Sequence, residues 1–324
     1  MSFTTSPTSM NTWLKRLGPV LGLFFVVALF SVLAPEKFAT GGNLQLILLQ
    51  TAVVGTAALG MTMVIISGGI DLSVGSVIAL TTVVVALLLK SGFSPIPAAM
   101  GGVVVGMVCG SIIGTFVTQV KLNPFIVTLG MWGALRGSAK GLANEQMIVP
   151  PDSWLTKLLN TLTDEQGWML LPPGVWMMLV LAVLIAVVLK YTRAGRYMFA
   201  VGSNETAARI CGVPVERTKM SVYMLGSGFA ALAGILQFSY LTVGDPTTAA
   251  GMELDIIAAV VIGGGSLAGG EGSILGTLVG ALIMTSVGNG CTKMEFPNWV
   301  QEIVAGGIIV IAVALDRFRH RKRY

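Results

Sequence analysis

Between Leu44 and Ile66 the chain runs for the thickness of a membrane without one charged residue. That single stretch excludes most soluble folds, and it is one of about ten. A helix needs about 20 apolar residues to cross the hydrocarbon core, within a range of roughly 17–25. The candidate spans are about Gly18–Ala34, Leu44–Ile66, Ser73–Leu89, Ile96–Val120, Pro124–Gly141, Gly174–Leu189, Met220–Thr242, Leu254–Leu267, Ile274–Gly290 and Trp299–Leu315. The eighth, Leu254–Leu267, is short and must extend, tilt or break. Charged residues make up only 11% of the 324, against roughly 25% in soluble domains, too few to solvate a globule of this size. The expected fold is an all-α polytopic membrane protein, one transmembrane domain over residues 1–324.

Leu17 to Ala34 follows Lys15 and Arg16 much as a signal-peptide core would, with Val32-Leu33-Ala34 as a passable cleavage site. Pro35 after the cut and the length of the run argue instead for a retained first span. Orientation follows from Lys and Arg, which concentrate on the cytoplasmic side. With the N-terminus inside, the inner side holds Lys15, Arg16, Lys121, the basic residues of 190–219 and those of the C-terminal tail; the outer side holds only Lys37, Lys90, Arg136, Lys140, Lys157 and Lys293. Residues 1–16 and 316–324 are therefore read as cytoplasmic tails, 190–219 as a cytoplasmic loop and 142–173 as an outer loop. The outer loop carries Asp152, Asp164, Glu165, Trp154 and Trp168. Its middle, Ser153 to Thr163, has helical spacing suited to lying along the membrane interface.

Much chemistry is excluded. The one histidine, His320, lies in the charged tail, and Cys109, Cys211 and Cys291 have no metal-ligand spacing. The run Gly263 to Gly272 lacks the strand–helix setting and acidic partner of a dinucleotide site, and no Gly-x-x-x-x-Gly-Lys-Ser/Thr is present. The residues imply no cofactor, no metal and no ATP site. The net charge of +5 is accounted for by membrane topology rather than by nucleic acid.

Gly68-Gly69-Ile70-Asp71-Leu72-Ser73-Val74-Gly75-Ser76 interrupts two apolar runs with an acid and a broken backbone. Both are costly near a bilayer and persist where they line a cavity or meet another protein part. Asp71 reads as an N-cap for the third span or as a pathway or gate residue, and the two roles are compatible. Gly68, Gly69, Gly75, Gly264 and Gly265 are candidate hinges. Gly75-Ser76-Val77-Ile78 aligns with Gly272-Ser273-Ile274-Leu275 as a weak parallel repeat. Gly102, Gly106, Gly110 and Gly114 recur every fourth residue on the fourth span, and Gly133, Gly137 and Gly141 on the fifth. Each row is a smooth face for close helix approach, within the bundle or in a dimer. In the inner loop, Gly202 to Pro214 reads as a short helix capped by Ser203 or Asn204, ended by Gly212 and blocked by Pro214. Too short to be stable alone, and rimmed by Glu205, Arg209, Glu216, Arg217 and Lys219, it reads as a docking knob.

Gly68 to Ser76, Gly195-Arg196-Tyr197, Gly202-x-Asn204-Glu205-x-Ala207-Ala208 and Gly212-Val213 together resemble the permease subunits of ribose-type ABC sugar importers. Asp245-Pro246, Glu253 to Gly264 and Ser266-Leu267-Ala268-Gly269-Gly270-x-Gly272 fit the same family, so the likeness runs from about Leu44 to the C-terminus. The resemblance implies a dimer of permeases in a bacterial inner membrane. A cytoplasmic ABC ATPase would hydrolyse ATP, a periplasmic binding protein would deliver a monosaccharide, and the permease itself would not be an enzyme. Asn204, Glu205, Ala207, Ala208, Arg209 and Gly212 would form the ATPase-coupling helix, with Thr206 inserted relative to the family's Glu-Ala-Ala pattern. A sugar path calls for amides and aromatic faces, for which Gln50, Gln119, Asn123, Trp132 and Asn289 are candidates. The alternatives are a branched-chain amino-acid or nucleoside importer of the same architecture, a stand-alone channel or secondary transporter, and, weakest, an intramembrane enzyme.

Overall fold

The computed structural model describes residues 8–162 and 168–321. Asp164 and Glu165 of the long loop and the ends of both tails, 1–7 and 322–324, lie outside the described residues. Among the described residues are thirteen α-helices and no strand: α1 (Thr8–Leu33), α2 (Pro35–Phe38), α3 (Gly41–Ile66), α4 (Val74–Lys90), α5 (Pro95–Thr118), α6 (Pro124–Leu142), α7 (Pro173–Tyr191), α8 (Arg193–Ser203), α9 (Glu205–Ile210), α10 (Val215–Leu241), α11 (Met252–Ile262), α12 (Ile274–Lys293) and α13 (Asn298–Arg321). Each of the ten apolar runs lies on one helix, and α2, α8 and α9 are the short extras. Five of them (α3, α5, α7, α10 and α12) are long and apolar enough to cross a membrane by themselves. The chain is an all-α polytopic membrane protein.

Local chemistry sets the helix ends. Pro95, Pro124 and Pro173 open α5, α6 and α7, where a missing N–H costs nothing. Thr40 caps α3, its hydroxyl accepting from Asn43 N at 3.2 Å. The short eighth run breaks: α11 has 11 residues, about 16 Å at 1.5 Å per residue, or roughly half the hydrocarbon core. α1 begins at Thr8, so part of the expected N-terminal tail is helical.

α3 and α10 form the centre of the bundle. The glycine row of α5 is filled from within: Gly106 faces Ala231 and the Ser227 carbonyl of α10, Gly102 faces Val85 and Thr81 of α4, and Gly114 faces Met220. The row on α6 is open, with no atom within 4 Å of a Cβ built at Gly130, Gly133, Gly137 or Gly141. Threonine pairs join α3 to α12, Thr51 to Thr285 at 2.7 Å and Thr62 to Thr277 at 2.8 Å. Such pairs satisfy hydroxyls where no water is available.

Two expectations need correction. Ser153 to Thr163 is not an interfacial helix; its described part holds one 3₁₀ turn, Trp154–Lys157. Leu155 and Leu159 are drawn into the core, Leu159 N donates to Ser239 Oγ at 2.9 Å, and Gly174 N donates to the Leu158 carbonyl at 2.8 Å. Burial against α10 and α7 overrides the periodic pattern. The aligned Gly-Ser pieces also sit differently: Gly75 and Ser76 lie inside the first turn of α4, whereas Gly272 and Ser273 precede α12.

Candidate functional site

At one end of the bundle, the end of α8 meets the two glycine-rich breaks, and α9 follows it. Asn204 caps α9, its Oδ1 accepting from Ala207 N at 2.9 Å. Gly212, at φ +80°, ends it, with Val213 N donating to the Ala208 carbonyl at 3.0 Å. This left-handed turn is one that glycine adopts without a Cβ penalty. Glu205 accepts from Lys219 and Arg209, and Arg209 also pairs with Glu216. The Lys219 ammonium hydrogen-bonded to it holds the Glu205 carboxyl below the usual carboxylate range. Ala208 packs inward, while Ile210 is 82% exposed, an apolar side chain at the tip of a charged helix. The sequence reading passed over Ile210; its place in the turn before Gly212 was the available signal.

Behind α9 the backbone is packed glycine on backbone. A Cβ at Gly202 would collide with the Ile66 carbonyl at the end of α3, and Gly270 N donates to that same carbonyl at 2.8 Å. A Cβ on Gly269 would meet Gly68 Cα at 3.0 Å. Thus the loop after α3, the loop after α11 and the end of α8 touch at one knot. Gly68 and Gly264 both have positive φ, +80° and +94°. Gly69 sits against the Tyr223 hydroxyl, and Gly265 against Val260. Asp71 is buried in this loop but does not cap α4 directly. Its Oδ1 accepts from Ser73 N at 2.8 Å and Ser73 Oγ at 2.6 Å, and Ser73 occupies the N-cap.

Asn123 also belongs to this end. It caps α6, accepting from Phe125 N at 2.9 Å, and lines a hollow of about 690 Å³ with Glu205, Arg209, Glu216 and Lys219. Gln119 is the exposed C-cap of α5.

Gln50 and Asn289 come together elsewhere, in a cleft of about 310 Å³ walled by α3, α10, α11, α12 and α13. Gln237, Tyr240, Asp255, Thr285, Thr292 and Gln301 complete its polar lining, with Val53, Val54, Met252 and Met284 between them. A second hollow of about 500 Å³ shares Met252, Asp255, Met284, Gly288 and Gln301. Neither lining contains Lys, Arg or His.

Trp132 lies beside the same half-helix α11 but on its other face, donating from Nε1 to Glu253 Oε1 at 3.2 Å. One turn along α6, Arg136 donates to the Pro246 carbonyl at 3.1 Å and to the Thr248 carbonyl. Arg136 is 8% and Glu253 9% exposed, yet among the described residues Arg136 Nη2 and Glu253 Oε2 have no hydrogen-bond partner. Gly75 lets α4 approach this cluster, since a Cβ there would collide with Glu253 Oε2. The topology count from sequence placed Arg136 among the outer-side charges. An arginine inside an apolar span, four residues from Trp132 on the same face, was the missed signal.

The model of a family described as "Branched-chain amino acid transport system / permease component" matches residues 43–313. The ribose import permease protein RbsC of Escherichia coli (strain K12) is 38% identical over 312 residues, covering 94% of this chain and 95% of its own. RbsC of Bacillus subtilis (strain 168) is 40% identical over 305 residues, covering 94% and 93%. The L-arabinose ABC transporter permease protein AraH of Azospirillum brasilense is 33% identical over 310 residues, covering 96% and 90%. No solved structure matches the chain. Because the match takes in every helix from α4 to α12, with the knot, the cleft and the Arg136 cluster, the chain belongs to this family of transport-system permeases.

Proposed function

We infer that the chain is the membrane-spanning subunit of an ATP-driven importer of a monosaccharide, such as ribose, arabinose, xylose or galactose. A separate cytoplasmic ABC ATPase hydrolyses ATP, and a periplasmic binding protein delivers the sugar. Both termini and α8–α9 face the cytoplasm of a bacterial inner membrane. A second copy of the permease packs on α6, whose glycine row this protomer leaves open.

The observation that carries this reading is the seating of α9. A six-residue helix has no stability of its own, yet here it is capped, pinned by Glu205 to Lys219 on α10, and tipped with exposed Ile210. It is joined through α8, whose Gly202 and Ser203 rest on both glycine-rich breaks. A pull on α9 when the ATPases close on ATP shifts the ends of α3 and α11 together and switches the pathway between its two openings. ATP drives this change only by binding the two states unequally.

The cleft favours a sugar over a branched-chain amino acid. The lining holds amides that suit hydroxyls and no cation for an α-carboxylate, so an amino acid would have only its ammonium matched, at Asp255. The test is uptake by proteoliposomes holding the permease, its ATPase and its binding protein. ATP-dependent import of a labelled pentose or hexose, with none of leucine, is the expected result. Import of leucine alone, or of any solute without ATPase, would refute it.

A further inference from the structure

We propose that the cleft between α3, α10, α11 and α12 is a sugar-binding station within the permease itself, with Asp255 as its specificity-determining residue; this rests on the sugar-importer reading above. The cleft has the right size. Its volume of about 310 Å³ is at the bottom of the roughly 300–1,000 Å³ range of small-molecule sites, which suits a single monosaccharide.

Its chemistry is equally selective. A pyranose or furanose offers a ring of hydroxyls around a body with apolar C–H patches. Gln50, Gln237 and Asn289 each supply an amide with donors and an acceptor, and the cleft sets them beside Val53, Val54 and Met284. Most of these groups are held in place. Gln237 Nε2 donates to Thr248 Oγ1 at 2.8 Å, and Asn289 Oδ1 accepts from Asn43 Nδ2 at 2.9 Å. Each keeps hydrogen-bonding capacity for a ligand, so the station is ordered before the sugar arrives, which lowers the cost of binding.

Asp255 is the exception. Among the described residues no hydrogen bond or ion pair holds it, although it lies on a half-helix inside the bundle. A carboxylate there has acceptor sites to fill, and a sugar hydroxyl fills them with a charge-assisted bond. Its neighbour Glu253 is turned away, held by Trp132 on the opposite face of α11. The two acids of α11 are thus divided: one is tied to α6, the other is free in the cleft.

The test uses the complete reconstituted transporter. Gly288 lines both hollows, and a Cβ there meets nothing within 4 Å, so Gly288→Cys places a small reporter thiol in the cleft and Gly288→Trp a plug. Alkylation at that position, read by peptide mass spectrometry, should slow severalfold in the presence of the imported sugar. In an added Asp255→Asn background, half-protection should need roughly ten to a hundred times more sugar, the effect of losing a hydrogen bond to a charged group. The plugged transporter, recovered as an assembled complex, should import at a tenth of the wild-type rate or less. The proposal falls if alkylation is indifferent to the imported solute, or if the assembled Gly288→Trp transporter imports normally. Should Gly288→Trp fail to assemble, protection of Gly288→Cys decides. Failure of the sugar reading itself shows separately, as wild-type import of leucine and of no sugar. Protection by leucine would then retain the cleft as a pathway and remove its ligand class.

Discussion

Replacing Ile210 by Asp separates the docking function proposed for α9 from its folding. Ile210 is 82% exposed, so four fifths of its surface remains to be covered by a partner. Fully burying an isoleucine contributes about 1.5–3 kcal/mol, which leaves about 1.2–2.5 kcal/mol available here. At 1.4 kcal/mol per factor of ten, Ile210→Ala should weaken ATPase binding by somewhat under that full gain, about five- to fiftyfold per copy. Ile210→Asp should do worse, because its carboxylate must also be desolvated. Neither change touches the packed face of α9, where Ala208 is buried, and exposed substitutions usually shift stability by no more than about 0.5 kcal/mol. The assay is equilibrium binding of purified ATPase to the permease in nanodiscs, with thermal unfolding of the permease alone as the fold control. Unchanged ATPase affinity and normal import in Ile210→Asp would refute the assignment of α9. Gly212→Trp would be a poorer test. At φ +80° any larger residue strains the helix end, so lost binding there would not separate docking from folding.

Four further outcomes follow from the packing and charges. Gly202→Ala drives a Cβ into backbone atoms of Ile66 and Gly270; it should cost about 1–3 kcal/mol in thermal stability and depress import more than ATPase binding. Gly106→Leu and Gly137→Leu look equivalent in sequence but should part company. The first should unfold the protomer against α10, and the second should leave it folded and weaken self-association, measured by light scattering in detergent. Arg136→Met strips the donor from the Pro246 and Thr248 carbonyls. It should lower the unfolding temperature by several degrees, at about 1–3 kcal/mol for each acceptor left unpaired. Glu205 is held below its ordinary carboxyl value by Lys219, so its contribution is present above the unfolded value near pH 4.3 and is lost as pH falls through the lowered folded value. ATPase binding should therefore be level from about pH 8 to 5 in the wild type, and Lys219→Met should move its acid loss to higher pH.

What the sequence disclosed and what it withheld divide by range. Apolar length is local, and each of the ten runs is found on a helix. Cap chemistry is local too: Asn204, Gly212 and Pro214 mark α9 within a residue or two. Asp71 was legible as a cap for backbone N–H groups, though it accepts from the N–H and hydroxyl of Ser73 rather than from the free end of α4. Partnership was not legible. The glycine rows of α5 and α6 have the same spacing, and nothing within either shows that one faces α10 and the other faces nothing. Trp132 and Glu253 are 121 residues apart, and Asn43 and Asn289 are 246 apart. Each was visible as a residue type, but not as a pair.

The breaks themselves show why this distinction bears on mechanism. Read separately, Gly68–Gly69 and Gly264–Gly265 are two flexible points, and two independent hinges would let each half of the bundle move alone. The structure joins the loops that contain them. Gly269 rests on Gly68, and Gly270 is hydrogen-bonded to the last carbonyl of α3, against which Gly202 is packed. A close-packed contact of backbone on backbone transmits displacement because neither side has a side chain that can yield. α11 is only 11 residues long and carries Asp255 near its far end, so a shift at the knot reaches the cleft through a single short rigid rod. On this reasoning the glycines at the knot act less as hinges than as the surfaces of a joint. A side chain added at Gly202 should then block import even where the helices on either side remain folded.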